Sequence, residues 1–295
     1  MNLETPEREV REIVVLYSRA EKLLRRELTT IGISSYKEVN ALRASDHVAK
    51  IVKELNQRTA RWTQMAMKSA YRTRSEQSKI TLSILGFKKK AHISPIAQIN
   101  AERRFIESTV AYFTRATGSI KRSADLLLNL SRSSNRLIKS IQEFDEGEYA
   151  FAEELFTQWA KEAVIAGWSR KRLSDMIENY LSGFIDDEGL INIRGRNFAL
   201  GGYAELVART QLRSAQSDAT ISTCNEYGCD LVLFSSHANP CEICAPLEGQ
   251  VYSISGTARD YPMLTDEETP PIHPRCEHSI SPTSEIAIEY RETHG

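Results

Sequence analysis

No apolar run in this chain approaches the roughly 18 residues that a membrane-crossing helix needs, so no membrane partner is expected. The N-terminus, Met1-Asn-Leu-Glu-Thr-Pro-Glu-Arg8, lacks both the basic start and the apolar stretch of a secretion signal. Folding in a reducing cytosol is therefore expected. The chain has five cysteines, an odd number, and a disulfide framework does not suit an odd count in that compartment. Internal repeats and low-complexity tracts are absent too, which sets aside a repeat array.

What is present is enough for two ordinary domains, with 295 residues in a soluble composition. The net charge of −1 hides an asymmetry. Residues 1–140 carry 27 Lys and Arg against 13 Asp and Glu, whereas residues 141–295 carry 11 against 26. A basic segment attracts phosphate backbones or acidic protein surfaces, and an acidic one repels nucleic acid.

The basic part reads as helix. Thr5-Pro6 supplies a start, and Ile13, Leu16, Tyr17, Ala20, Leu23, Leu24 and Leu28 follow a 3.6-residue period up to Gly32. A second helix is expected over about 45–83, with Val48, Ile51, Val52, Leu55, Trp62, Met65 and Met67 inward and Arg72 and Arg74 on a basic outer surface. Lys88, Lys89 and Lys90 fall in a loop, and a third helix is expected over about 96–144, with Phe105, Ile106, Val110, Phe113, Ile120, Leu126, Leu127, Leu130, Leu137, Ile138 and Ile141 as core residues. Arg72, Arg74 and the three lysines are candidate phosphate contacts, with a solvated surface as the plain alternative.

Two acidic helices are expected next, at 148–165 and 169–185, with Trp159, Trp168 and Phe184 inward. An amphipathic helix follows over 203–225. The period then changes to short β-type runs at 231–234, 251–254 and 278–280. The expected fold is mainly α with a small C-terminal α+β module, a short antiparallel sheet lying near a Cys/His cluster. The segments are 1–144 basic and helical, 145–200 acidic and helical, and 201–295 the α+β module.

Six of the eleven Cys and His residues fall between positions 237 and 278. Cys241-Glu-Ile-Cys244 is a C-x-x-C pair and His273-Pro-Arg-Cys276 an H-x-x-C pair at the same separation. Four N/S donors in two close pairs suit a tetrahedral zinc ion, which would supplement the core of a module of about 60 residues. Unmetallated thiols in a small core are the alternative. His237 and His278 are alternate ligands or supporting groups, and Cys224 and Cys229 are structural.

Two enzymatic patterns come near. Cys224-Asn-Glu226 with Pro240-Cys241 resembles the halves of a zinc deaminase, but 13 residues between Glu226 and Pro240 leave no room for the strand and helix that must join them. A zinc-supported nuclease is the leading alternative, although the acidic half is a poor face for DNA.

The ordered series Tyr203-Ala-Glu-Leu-Val-Ala-Arg209-Thr210-Gln211, Cys241-x-x-Cys244, Leu247-Glu-Gly249-Gln-Val-Tyr252 and Pro270-Pro271-Ile-His273-Pro274-Arg-Cys276-Glu-His278 resembles the head-morphogenesis (minor head protein) domain of tailed bacteriophages. The resemblance covers about residues 200–283, with Gln211 and Glu277 standing where the family usually has Glu and Arg. It implies a virion protein made in the host cytoplasm and placed inside the phage head. Its partners would be the portal and other capsid proteins, and its role head assembly or the packaging or ejection of DNA. No catalysis and no small-molecule substrate are implied. The basic half would then bind double-stranded DNA without sequence preference.

Overall fold

The computed structural model describes residues 7–33, 38–91, 95–136, 191–193, 196–274 and 276–294. The described chain is mostly helical: α1 (Glu7–Ile33), α2 (Glu38–Ile84), α3 (Pro95–Arg136), β1 (Ile191–Ile193), β2 (Arg196–Phe198), α4 (Leu200–Tyr227), β3 (Leu231–Phe234), a 3₁₀ turn (Ala245–Leu247), β4 (Val251–Ser253), β5 (Ile280–Pro282) and α5 (Glu285–His294). Mainly α with a small C-terminal antiparallel sheet is the fold the sequence predicts. The Thr5-Pro6 start, Leu137, Ile138 and Ile141, and the helices expected at 148–165 and 169–185 with Trp159, Trp168 and Phe184, lie outside the described residues.

Two compact units are formed from interleaved stretches. One contains Met1–Val14, Thr59–Phe113 and Ala204–Gly295, the other Val15–Arg58 and Thr114–Tyr203. In the second unit α1 buries Tyr17, Ala20, Leu24, Leu28 and Ile31, spaced three or four apart as a single helix face requires. Leu23, also expected inward, is 45% exposed because it falls one step off that stripe. The Glu21 carboxylate accepts the Leu200 N–H at 3.0 Å, satisfying one of the four donors that a helix N-terminus leaves open and opposing the helix dipole with negative charge.

In the first unit Met67 is buried as expected, whereas the expected inward Met65 is exposed and Ala66 is buried. Trp62 donates its indole N–H to the Glu9 carbonyl at 2.9 Å and meets Phe113 edge-on. Helix α4 departs from an amphipathic surface helix. Between Leu200 and Tyr227 only Asn225 is exposed, and Arg213, Thr220, Thr223 and Glu226 are buried along with the apolar residues. Its small residues Ala204, Ala208, Ala215 and Ala219 are all fully buried, as expected where neighbours approach on more than one side.

Arg209, on α4, is held by two carboxylates: Glu7, at 2.6 and 3.1 Å, and Glu205, at 3.0 Å. The hydrogen bond from Arg209 is the main reason that Glu7 titrates below the usual carboxylate range. A depressed folded pKa contributes stability above the unfolded value, roughly 4.3, and that contribution disappears as the pH falls through the folded value. Glu7 is well exposed, so Glu7→Gln is expected to cost about 0.5–1 kcal/mol at pH 7 and nothing once wild-type Glu7 is protonated, read by urea denaturation at both pH values.

The sheet has the order β4-β3-β5, both pairs antiparallel, with Val232 opposite Tyr252 and Pro282. The third strand lies two residues later than the run at 278–280 suggested. Alternation along β3 divides its side chains. Val232 and Phe234 join Leu82, Cys224, Cys229, Tyr252, Leu264 and Ile280, while Leu231 and Leu233 join Val251 and Ile288 of α5. Leu82 belongs to α2, and Phe87 just after it packs on the same cluster, so the core of the C-terminal sheet is completed from the helical region.

Candidate metal centre

Both ligand pairs are shaped by the same local bond. The Cys244 N–H donates to the Cys241 carbonyl at 3.0 Å, and the Cys276 N–H donates to the His273 carbonyl at 3.0 Å. Each turn therefore points its first and fourth side chains to one side. The 3₁₀ turn follows directly on Cys244, and Gly249 then takes a left-handed φ of 71°, which a side chain would strain. That reversal sends the chain into β4 and leaves Glu248 facing the histidines. Pro270–Pro271, ahead of His273, is cis.

Five side chains converge. His273 Nε2 lies 3.1 Å from Cys241 Sγ and 3.2 Å from Cys244 Sγ; Cys244 Sγ lies 3.9 Å from Cys276 Sγ, which lies 3.9 Å from His278 Nδ1. Two groups of three could hold a metal ion, Cys241/Cys244/His273 and Cys244/Cys276/His278, with Cys244 common to both. Thiolate–metal and imidazole–metal bonds of about 2.3 and 2.0 Å around a tetrahedral ion place donor atoms roughly 3.5–4 Å apart; the two 3.9 Å spacings match this and those of His273 fall a few tenths of an ångström short, so the residues present fit such an ion after a small adjustment of His273.

Burial and the neighbouring Cys276 push the Cys244 thiol up, whereas the Cys244 backbone N–H pulls the exposed Cys241 thiol down. Glu248 sits below the usual carboxylate range because His278 donates to it.

All four sequence-predicted ligands are thus brought into one cluster, and His278 stands with them. His237 belongs to neither group. Its ring meets His278 edge-on at 4.4 Å, its Nε2 lies 3.2 Å from Ser235 Oγ, and its backbone N–H donates to Glu248 at 2.7 Å. Sequence reasoning passes over Glu248, whose signals are its place in the Leu247-Glu-Gly249 segment of the resemblance and the glycine that follows it. Cys224 and Cys229 lie in the apolar core, where the Cys229 thiol donates to the carbonyls of Leu231 and Thr283.

The candidate phosphate contacts are dispersed. Arg74 is buried, donating to Thr220 Oγ1 at 2.8 Å and to the Ile280 carbonyl, so it has no face toward solvent. Arg72 is exposed but makes a two-point pair with Glu102 at 2.9 and 3.2 Å. Lys88, Lys89 and Lys90 are exposed. Lys89 pairs with Glu226, and the backbone N–H groups of Lys90 and Ala91 donate to the Glu226 carbonyl at 3.0 and 2.9 Å, capping the end of α4. Gly228 (φ 69°) follows there, with the Lys90 methylenes filling the space that a Cβ would occupy.

A family model described as phage minor capsid protein 2 matches residues 7–285, from the first turn of α1 to the first residue of α5. The chain belongs to that family. The match takes in the helical region as well as the cluster, well beyond the stretch of about 200–283 that carries the sequence resemblance. Membership of this capsid family gives the protein a structural role in the virion, among other capsid components. No curated protein and no solved structure matches the chain. Among the described residues of this family member, no helix is long and apolar enough to cross a membrane.

Proposed function

We propose that this minor capsid protein sits inside the phage head against the portal and acts in head assembly and in the packaging or ejection of DNA. The observation that carries the proposal is the capsid-family match across both the basic helices and the Cys/His cluster. In this reading the cluster holds one zinc ion through Cys244, the donor common to both groups, and three of Cys241, His273, Cys276 and His278. The ion ties the two ligand turns to the sheet and supplies no chemistry to a substrate.

The exposed cations of α1–α3 and of the loop, including Lys88 and Lys90, face packaged DNA and bind its phosphates without sequence preference. Purified full-length protein should co-sediment with the portal protein of its own phage and retain double-stranded DNA at 50 mM salt. If about six phosphates are contacted, DNA affinity should fall by about 10³ between 50 and 200 mM salt. Failure to retain DNA at 50 mM would make the basic surface a protein-docking face. Metal-dependent DNA cleavage lost on Cys241→Ala or His278→Ala would make the protein a nuclease.

A further inference from the structure

Glu248 donates no atom to either three-residue group, yet it fixes the buried histidine of one of them. Its Oε1 accepts from His278 Nε2 at 2.8 Å and from the His237 backbone N–H at 2.7 Å. The two side chains are 15% and 6% exposed, so little water competes for that bond. An imidazole that gives its Nε2 proton to a carboxylate keeps its lone pair on Nδ1. This is the nitrogen facing Cys276 Sγ, at 3.9 Å. His273 is set in the same way from the opposite side. Its Nδ1 lies 2.9 Å from the Pro274 carbonyl, which frees Nε2 for Cys241 and Cys244.

The donors also differ in burial. Cys244, Cys276 and His278 are all buried, whereas Cys241 is exposed and His273 half-buried. We propose that Glu248 is the orienting carboxylate of the metal centre and makes His278 a ligand, so that buried Cys244, Cys276 and His278 anchor the ion and one donor from the exposed Cys241–His273 side completes the tetrahedron. The proposal rests on the zinc reading and extends it to a residue outside the ligand set. A carboxylate behind a metal-bound histidine fixes its tautomer and raises its basicity. If the His278–Glu248 pair were only a structural contact, metal affinity would not depend on it.

The test uses the full-length protein, with zinc affinity measured by chelator competition and ligand geometry by the visible absorption of the cobalt(II)-substituted form. Glu248→Gln is expected to weaken zinc about tenfold and Glu248→Ala up to about 100-fold, each with a shifted cobalt band. The metal-free melting temperatures are measured alongside, since a merely structural role would move them and leave affinity alone. Zinc affinity within about twofold of wild type in both variants would overturn the assignment, whatever happens to the metal-free form. Wild-type protein that binds neither zinc nor cobalt would overturn the zinc reading along with it. His278→Ala removes the ligand itself and should weaken zinc at least as much as Glu248→Ala, but Glu248→Gln keeps the side-chain shape and so carries the test if the alanine variants do not fold.

Discussion

Cys244→Ser is expected to abolish stoichiometric zinc binding, the largest single effect in this protein. Cys244 is the donor shared by both three-residue groups, so neither group survives its loss. Serine keeps the turn, since the backbone bond to Cys241 does not involve the side chain, but a hydroxyl is a far poorer ligand than a thiolate for a soft, tetrahedral ion. A metal that binds the folded form alone stabilises it by RT ln(1 + [L]/Kd), about 4 kcal/mol when its free concentration is a thousand times Kd. The variant should therefore carry no metal by elemental analysis, and it should melt where chelator-treated wild type melts. Cys224→Ser provides the contrast, because Cys224 lies in the apolar core outside both groups and its variant should lose stability while keeping the metal. A Cys244→Ser protein that purified with one equivalent of zinc would remove the cluster's proposed role.

Arg74→Ala is expected to destabilise the protein by about 3 kcal/mol, from the loss of two charge-assisted hydrogen bonds worth roughly 1.5–3 kcal/mol each, partly offset by relief of charge burial. Burial and the neighbouring Arg213 pull the Arg74 guanidinium down to about 10, still charged at neutral pH. The group spans α2, α4 and β5 through Thr220 and the Ile280 carbonyl, and truncation leaves that carbonyl without its donor. Urea denaturation measures the loss. DNA retention per folded molecule should not change, because Arg74 never reaches the surface. A variant as stable as wild type but weakened toward DNA would reverse the assignment.

Arg74 also marks the limit of what the sequence makes legible. The helices were readable because α1–α3 bury residues at local three- and four-residue spacings. Met65 was misplaced because it stands directly before Ala66 and Met67, where a period cannot choose among three adjacent apolar positions. The third strand was displaced by two residues because its register is set by pairing with Leu231–Phe234, some fifty residues earlier. Whether a basic residue points outward depends on such distant partners as well, and the Ile280 carbonyl lies 206 residues from Arg74. The ligands, by contrast, come in pairs whose geometry is made within four residues, so Cys241, Cys244, His273 and Cys276 could be picked out directly. Glu248 needed the turn at Gly249 and the fold of the sheet to bring it to His278.

Of the five cysteines, four are buried and Cys241 alone is exposed, with its thiol pulled toward the reactive thiolate by the Cys244 backbone N–H. The metal-free chain therefore carries a single exposed thiol as a chemical handle. With the metal removed by chelator, a maleimide dye or cross-linker would go to the rim of the cluster without any engineered cysteine, and bound zinc would protect that thiol.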